Sequence, residues 1–471
     1  MFIGTDGQGI KIYNREKNII EDYGEISAPF DFTKAKVHSI VQDKDHNLWF
    51  GLFQKGIVFI PALENKFNYY GFQQLSDNPI GSGCVTTIYK DKNGITWVGT
   101  DNDGIYGVDE NNHRQAHFYK TASQNSVPDI VNSICEDTHG NLWIGSYTQG
   151  LAKLNRKTGY CQYIQRLSTE KVYYITEDIK GNLLVGTYGS GIFALDGSGN
   201  VIGHLESSKQ ETDILTLNEL ANDWVNCMMS DKDELLWIGH YKGVSCYNFQ
   251  NKSFINFLNQ NNLLPGTVVI ALLEDESGKI WIGTTTGLHC FNKQTGEMKL
   301  FTTEHGLSNN VICGICEDKE NNLWISTYRG INKYFPDQNR FISYYANDGL
   351  QGNEFAKGAF FKDKDGQFFF GGVNGVTSFY PNNILYQKRD LNILLTNFSL
   401  FNKPVNKNDR SGSINILDTA LLDTDHIRLA HYDNTFSFEF STLDFSNPER
   451  ISYQYMMGSN SEWLKDRKSV V

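Results

Sequence analysis

Apolar residues fall along this chain in strand-length runs of roughly four to six, either alternating or continuous, and each run is closed by Asp, Asn or Gly. Helical spacing of 3.6 is nowhere sustained. One pattern recurs nine times: a short strand ending in a Trp-Ile-Gly-Thr-like string, a tight loop, a Gly and an alternating strand. The aromatic or apolar anchor falls at Phe2, Trp49, Trp97, Trp143, Leu184, Trp237, Trp281, Trp324 and Phe369, with gaps of 47, 48, 46, 41, 53, 44, 43 and 45 residues. A period near 45 predicts an array of similar supersecondary units.

Within a unit, an Asp precedes the anchor by six residues in eight copies: Asp43, Asp91, Asp137, Asp178, Asp231, Asp275, Asp318 and Asp363. Gly, or His46, Glu234 or Asn321, follows three residues later, which reads as a hairpin turn. An apolar strand precedes the Asp, the Trp strand follows the turn, an alternating third strand follows the second Gly, and a weaker fourth carries aromatics such as Tyr160 and Tyr163. Four short antiparallel strands at this period predict a propeller blade. Burial of each repeat Trp against a neighbouring blade would contribute roughly 3 kcal/mol, so these rings, the turn Asp and the glycines read as structural.

Copies three to nine number seven and predict one closed propeller over 81–387. Copies one and two then read as the last two blades of an upstream propeller over 1–80; a single ring of eight or nine blades is the alternative. An insertion is expected around 206–221. Strands without the repeat begin near 388, so 388–471 is read as a separate, truncated β-sandwich. The first copy opens at its second strand, and no leader precedes Phe2, so the chain reads as a fragment.

The formal net charge is −12, with no basic stripe, which disfavours nucleic acid. No run of 18 apolar residues is present to span a membrane. Eight cysteines are scattered; Cys313 and Cys316 form a Cys-Gly-Ile-Cys string, yet on a regular strand they would face opposite sides and read as core residues.

The repeat resembles the regulator-propeller repeat of hybrid two-component sensors of Bacteroides-type bacteria, whose pattern is strand, Glu-Asp, turn Gly, Leu-Trp-Ile-Gly-Thr, loop and Gly-Leu. The Gly-His and Trp-Asp signatures of WD repeats are absent, and the paired glycines of kelch repeats occur only at Gly371-Gly372. Ile80-Gly81-Ser82-Gly83-Cys84-Val85 with Trp97-Val98-Gly99-Thr100 resembles the opening of that family's second propeller. Asp348-Gly349-Leu350-Gln351-Gly352-Asn353-Glu354-Phe355 with Phe379-Tyr380-Pro381 resembles its last blade. Asp433-Asn434-Thr435-Phe436, Asn447-Pro448, Ile451-Ser452-Tyr453-Gln454-Tyr455 and Trp463 resemble its triple-tyrosine Ig-like domain. The resemblance implies a periplasmic sensor region. It implies a homodimeric parent whose membrane helix, histidine kinase, receiver and DNA-binding domain lie outside this sequence. No enzyme activity, cofactor or metal is expected of the chain itself.

Strand direction places the loop between strands two and three on the same face as the connection between blades. Two residues past the first Gly position stand Asp101, Tyr147, Tyr188, Tyr241 and Tyr328, flanked by Asn102, Asp103, Gln149, Lys242, Arg329 and Asn374. Tyrosine faces cover the apolar side of a pyranose, while amides and acids bond its hydroxyls, so an oligosaccharide is the expected ligand. The competing reading has each Tyr packing on the next blade and capping its hairpin. A propeller lyase or glycosidase and a protein-interaction scaffold are the alternative functions. No Ser-His-Asp or metal-spaced His cluster stands out among the 11 histidines.

Overall fold

A computed structural model describes the chain except residues 16, 24–33, 45, 61–66, 72–77, 208–218, 257–263, 265–266, 385–392, 425, 443–450, 452, 457–463 and 467–471. Asn447, Pro448, Ser452, Trp463 and most of the predicted insertion therefore lie outside the described residues. Every helical element among the described residues is a three-residue 3-10 turn; all else with regular structure is antiparallel strand. The all-β propeller read from the sequence is the observed fold.

Six sheets are built from four consecutive strands each. Blade 1 comprises Val85–Lys90, Thr96–Thr100, Ile105–Val108 and Arg114–Phe118. Blades 2 to 6 open with Ser133–Glu136, Val172–Glu177, Val225–Ser230, Val269–Glu274 and Ile312–Glu317. Blade 7 has Phe355–Lys362, Phe368–Gly372 and Gly375–Phe379, and its fourth strand is Asn68–Gly71, paired in register from Gly375↔Gly71 to Ser378↔Asn68. The innermost strands touch in a closed circuit, blade 1 against blade 2 and onward to blade 7 against blade 1. Asn68–Gly71 therefore latches the ring, although the sequence reading begins the ring at 81 and leaves this segment upstream. Pairing the ends of the array satisfies a sheet edge that would otherwise be open.

Ahead of the latch stand two three-stranded sheets, Phe2–Gly4 with Ile10–Asn14 and Ile19–Asp22, and Val37–Gln42 with Leu48–Leu52 and Gly56–Ile60. Their shared core is Ile10, Ala35, Val37, Phe50, Leu52 and Ile60. Residues 385–471 form a second compact unit. In it Leu394–Leu400 pairs with Lys403–Pro404 and with Phe436–Ser441, over a small core of Phe398, Ile416 and Leu417.

The constant Asp-to-Trp spacing has a specific cause. In each Trp blade the turn Asp accepts the indole N–H six residues on: Asp91 from Trp97 at 2.8 Å, Asp137 from Trp143 at 2.8 Å, Asp231 from Trp237 at 2.8 Å, Asp275 from Trp281 at 2.8 Å and Asp318 from Trp324 at 2.9 Å. Its other oxygen takes backbone N–H groups of the turn, as Asp275 does from Lys279 at 2.9 Å. The Asp thus closes the hairpin and satisfies the one polar atom of a buried ring. Where the anchor is not Trp the oxygen finds a substitute: Asn182 for Asp178, and Lys90 of blade 1 for Asp363 of blade 7.

Cys313 and Cys316 do not face opposite sides. The first strand of blade 6 bulges between Ile312 and Gly314, which resets the alternation and puts both thiols in one apolar cluster. Burial pushes the Cys316 thiol up to about 12 and raises Cys313 as well.

Candidate functional site: the loop face of the ring

The rim carrying the two-to-three loops is assembled by backbone bonds. The first loop residue donates to the residue just before the innermost strand of its own blade: Asp101 to Cys84 at 3.1 Å, Tyr188 to Lys171 at 2.9 Å, Tyr241 to Trp224 at 3.2 Å and Thr285 to Val268 at 3.2 Å. Both loop sets therefore share one face. The Thr of the Trp-Ile-Gly-Thr string caps the loop, its Oγ1 accepting from Asp103 N–H in blade 1, Ser190 in blade 3 and Arg329 in blade 6. In blade 4 His240 takes that place: Nδ1 accepts from Lys242 N–H at 3.2 Å and Nε2 lies 2.9 Å from Ser245 Oγ. Burial, with the Lys242 charge second, lowers the His240 pKa to about 3. The second Gly of each loop has a close-approach cause: at Gly104 (φ 69°) and Gly150 (φ 73°) a Cβ would strike the carbonyls of Phe118 and Leu167, at the outer edge of the same blade.

In every blade but the second, a bulge near the start of the innermost strand leaves one or more residues out of the ladder. In blades 1, 4 and 6 the bulged side chain bonds the next blade, and Asn132, just ahead of the blade 2 strand, does the same: Thr86 donates to Val131 O, Asn132 to Val172 O, Asn226 to Val269 O at 2.7 Å and Cys313 to Phe355 O at 3.2 Å. In blade 3 the bulged residue is Tyr173. Its ring stacks on Tyr188, centroids 4.2 Å apart and 13° between planes. Tyr188 stacks in turn on Trp224 at 5.4 Å and donates its hydroxyl to Asn226 Oδ1 at 2.6 Å. Tyr241 meets Trp224 edge-on at 5.1 Å and Tyr188 edge-on at 5.7 Å. The outermost rings stay open, Trp224 46% and Tyr241 40% exposed. Burial raises the Tyr173 and Tyr188 phenols, so both remain neutral hydroxyls.

The structure thus brings Tyr188 and Tyr241 together. Tyr147 and Tyr328 are each 40% exposed on the same rim, with Lys171 Nζ 4.9 Å from the Tyr147 ring centroid and Lys357 Nζ 5.7 Å from that of Tyr328. Lys242 and Arg329 are exposed beside them, Arg329 5.8 Å from the Tyr345 ring. Other expected residues are engaged in the scaffold. Asp103 accepts from Tyr106 and pairs with His117 at 3.2 Å. Asp101 accepts Cys84 N–H at 3.1 Å, and Gln149 accepts from Tyr163 at 3.1 Å. Asn374 N–H donates to Gln351 at 2.9 Å, and its carbonyl accepts from Tyr69 on the latch strand at 2.8 Å. Asn102 is exposed.

Tyr173, Trp224, Asn226, Lys171 and Lys357 were not expected from the loop pattern, since they sit at or before innermost strands. Their signal is positional: each lies within two residues of the apolar residue that opens the strand, at Val172, Val225 or Phe355. A separate cavity of about 280 Å³ sits by Asp318 and Lys362 on the rim of the Asp turns, and Lys362 already donates to Glu317 O at 2.8 Å there. Among the described residues no group of three metal-ligating side chains converges.

A repeat family described as the two-component regulator propeller matches residues 79–102, 126–148, 263–286 and 306–329. Histidine kinase P4 of Formosa agariphila is 26% identical over 418 residues, which span 85% of this chain and 30% of that protein. The extracellular domain of a hybrid two-component system from B. thetaiotaomicron has a TM-score of 0.77 at 26% identity, over 99% of this chain and 61% of that one. A second such domain from the same organism, at 20% identity and TM-score 0.56, covers 100% of this chain and 62% of its own and shares the fold. The chain carries two-component regulator propeller repeats and is similar to the extracellular regions of hybrid two-component systems, spanning less than two thirds of the relatives it matches.

Proposed function

We propose that this chain is part of the periplasmic sensing region of a hybrid two-component regulator and that the loop face of its ring binds an oligosaccharide. The carrying observation is the aromatic platform at blades 3 and 4: exposed Trp224 and Tyr241 over a stacked Tyr173–Tyr188 pair held by Asn226. Flat apolar faces beside neutral phenol hydroxyls and amides match the two sides of a pyranose. Stacking among the rings and the Tyr188–Asn226 bond fix the platform before ligand arrives, which lowers the ordering cost of binding. The lengthy parent implied by the histidine kinase relative would read occupancy through a kinase, in a dimer of sensor regions.

Titration calorimetry against a panel of plant and algal oligosaccharides tests this reading. Saturable binding without turnover, lost in Trp224→Ala, is the expected result. Turnover of a bound glycan would make the chain an enzyme, and binding indifferent to Trp224→Ala would move the site elsewhere.

A further inference from the structure

The aromatic platform is ringed by lysines that lack acids. The ammonium groups of Lys171, Lys242 and Lys357 have no hydrogen-bond or salt-bridge partner among the described residues. Several other lysines of the ring do have acid partners: Lys90 with Asp363, Lys120 with Asp129, Lys232 with Glu276 and Lys293 with Asp231 and Glu274. Each of the three unpaired lysines lies by a tyrosine of this rim. Lys171 lies over Tyr147, Lys357 lies by Tyr328 and its charge reaches the Tyr173 phenol, and Lys242 follows Tyr241.

Three acids of this rim are already engaged. Asp103 serves Tyr106 and His117, Asp129 serves Lys120, and Asp223 takes the N–H and hydroxyl of Ser207. Asp101 and Glu354 act together on Cys84, at the junction of blades 1 and 7. The rim thus carries three cations without acid partners beside its tyrosines.

We propose that the mouth takes an anionic oligosaccharide, whose carboxylate or sulfate groups meet Lys171, Lys242 and Lys357 while its sugar faces stack on Trp224 and Tyr241. This rests on the glycan reading above. A flexible ammonium accepts either anion, because it acts as a point charge without the bidentate geometry of guanidinium. Charge attraction at this partly exposed face also requires that affinity fall with salt.

The test is calorimetry of the chain with tetragalacturonate, tetraguluronate and a chondroitin sulfate tetrasaccharide, beside cellotetraose and the methyl ester of tetragalacturonate as neutral partners. At least one anionic glycan should bind at least about tenfold more tightly than the neutral ones, and weaken several-fold between about 20 and 200 mM salt. The Lys171→Gln, Lys242→Gln, Lys357→Gln triple variant should abolish that preference with an unchanged melting temperature. The uronates and the sulfated glycan separate carboxylate from sulfate recognition. Equal binding of neutral glycans, lost in Trp224→Ala, would overturn the charge inference and leave the sugar platform standing. Binding of no glycan, or binding blind to Trp224→Ala, would overturn both.

Discussion

Asp275 shows why a residue that reads as a turn former does more than turn the chain. It holds the Ser277 hydroxyl at 2.6 Å, the Lys279 N–H at 2.9 Å and the Trp281 indole at 2.8 Å, all from a buried position. Asp275→Ala strands the indole and a turn N–H, and should cost about 3 kcal/mol in urea unfolding. Asp196→Ala, at an outer turn with the same backbone bonds but no indole, should cost clearly less. Equal losses would show that the indole bond contributes nothing. The His240 cap makes a second prediction. Its folded pKa is about 3 against an ordinary 6.5. The unfolded state therefore takes up the proton first, and stability falls as pH drops below about 6.5. About 2 kcal/mol should be lost by about pH 5 through this group. His240→Thr, which restores the residue found at Thr284 and Thr327, should flatten that acid slope; an unchanged slope in acid denaturation profiles would contradict it.

The latch strand Asn68–Gly71 and the bulged innermost strands are where the ring's architecture is decided. A chain starting at residue 67 keeps the four residue pairs between this strand and Gly375–Phe379, whereas one starting at 79 loses them. The shorter chain should unfold about 2–4 kcal/mol more easily, since several ladder bonds and the buried side of Tyr70 go together. Identical melting curves would mean that blade 7 closes without its fourth strand. Most of the propeller was legible in sequence because blade identity rests on local features: the Asp turn, the six-residue step to Trp, the two separated glycines of the loop. The latch was not, because Asn68-Tyr69-Tyr70-Gly71 pairs with a strand some 300 residues away and carries no repeat signal. The bulges were hidden for a related reason. A strict alternation assigns Tyr173, Asn226 and Cys313 to the wrong side, and only the break in the ladder at these residues reveals the shift. The loop tyrosines were legible as a set, yet the choice of Tyr188 and Tyr241 as one cluster needed Trp224, which lies outside the loop between strands two and three.

Seven similar blades set one tolerant rim and one invariant rim on the same ring. The Asp-turn rim repeats a bond between blades, in which a Glu accepts the turn N–H of its neighbour: Glu136 from Lys92, Glu177 from Thr138, Glu274 from Lys232 and Glu317 from Glu276. Regular stitching of this kind leaves the loop rim free to vary without loss of the fold. There the aromatic platform spans two adjacent blades, so no single repeat could supply it. The central claim is that this platform binds a glycan, and the most direct measurement is the affinity of Trp224→Ala relative to wild type for an oligosaccharide that wild type binds, with denaturant midpoints taken in parallel. Trp224 is 46% exposed, and its side chain meets Tyr188 and Tyr241 only by ring contacts. The account predicts an affinity loss of about tenfold or more with a midpoint shift that is small beside that of Trp281→Ala. A Trp224→Ala chain that binds the glycan as tightly as wild type would contradict it.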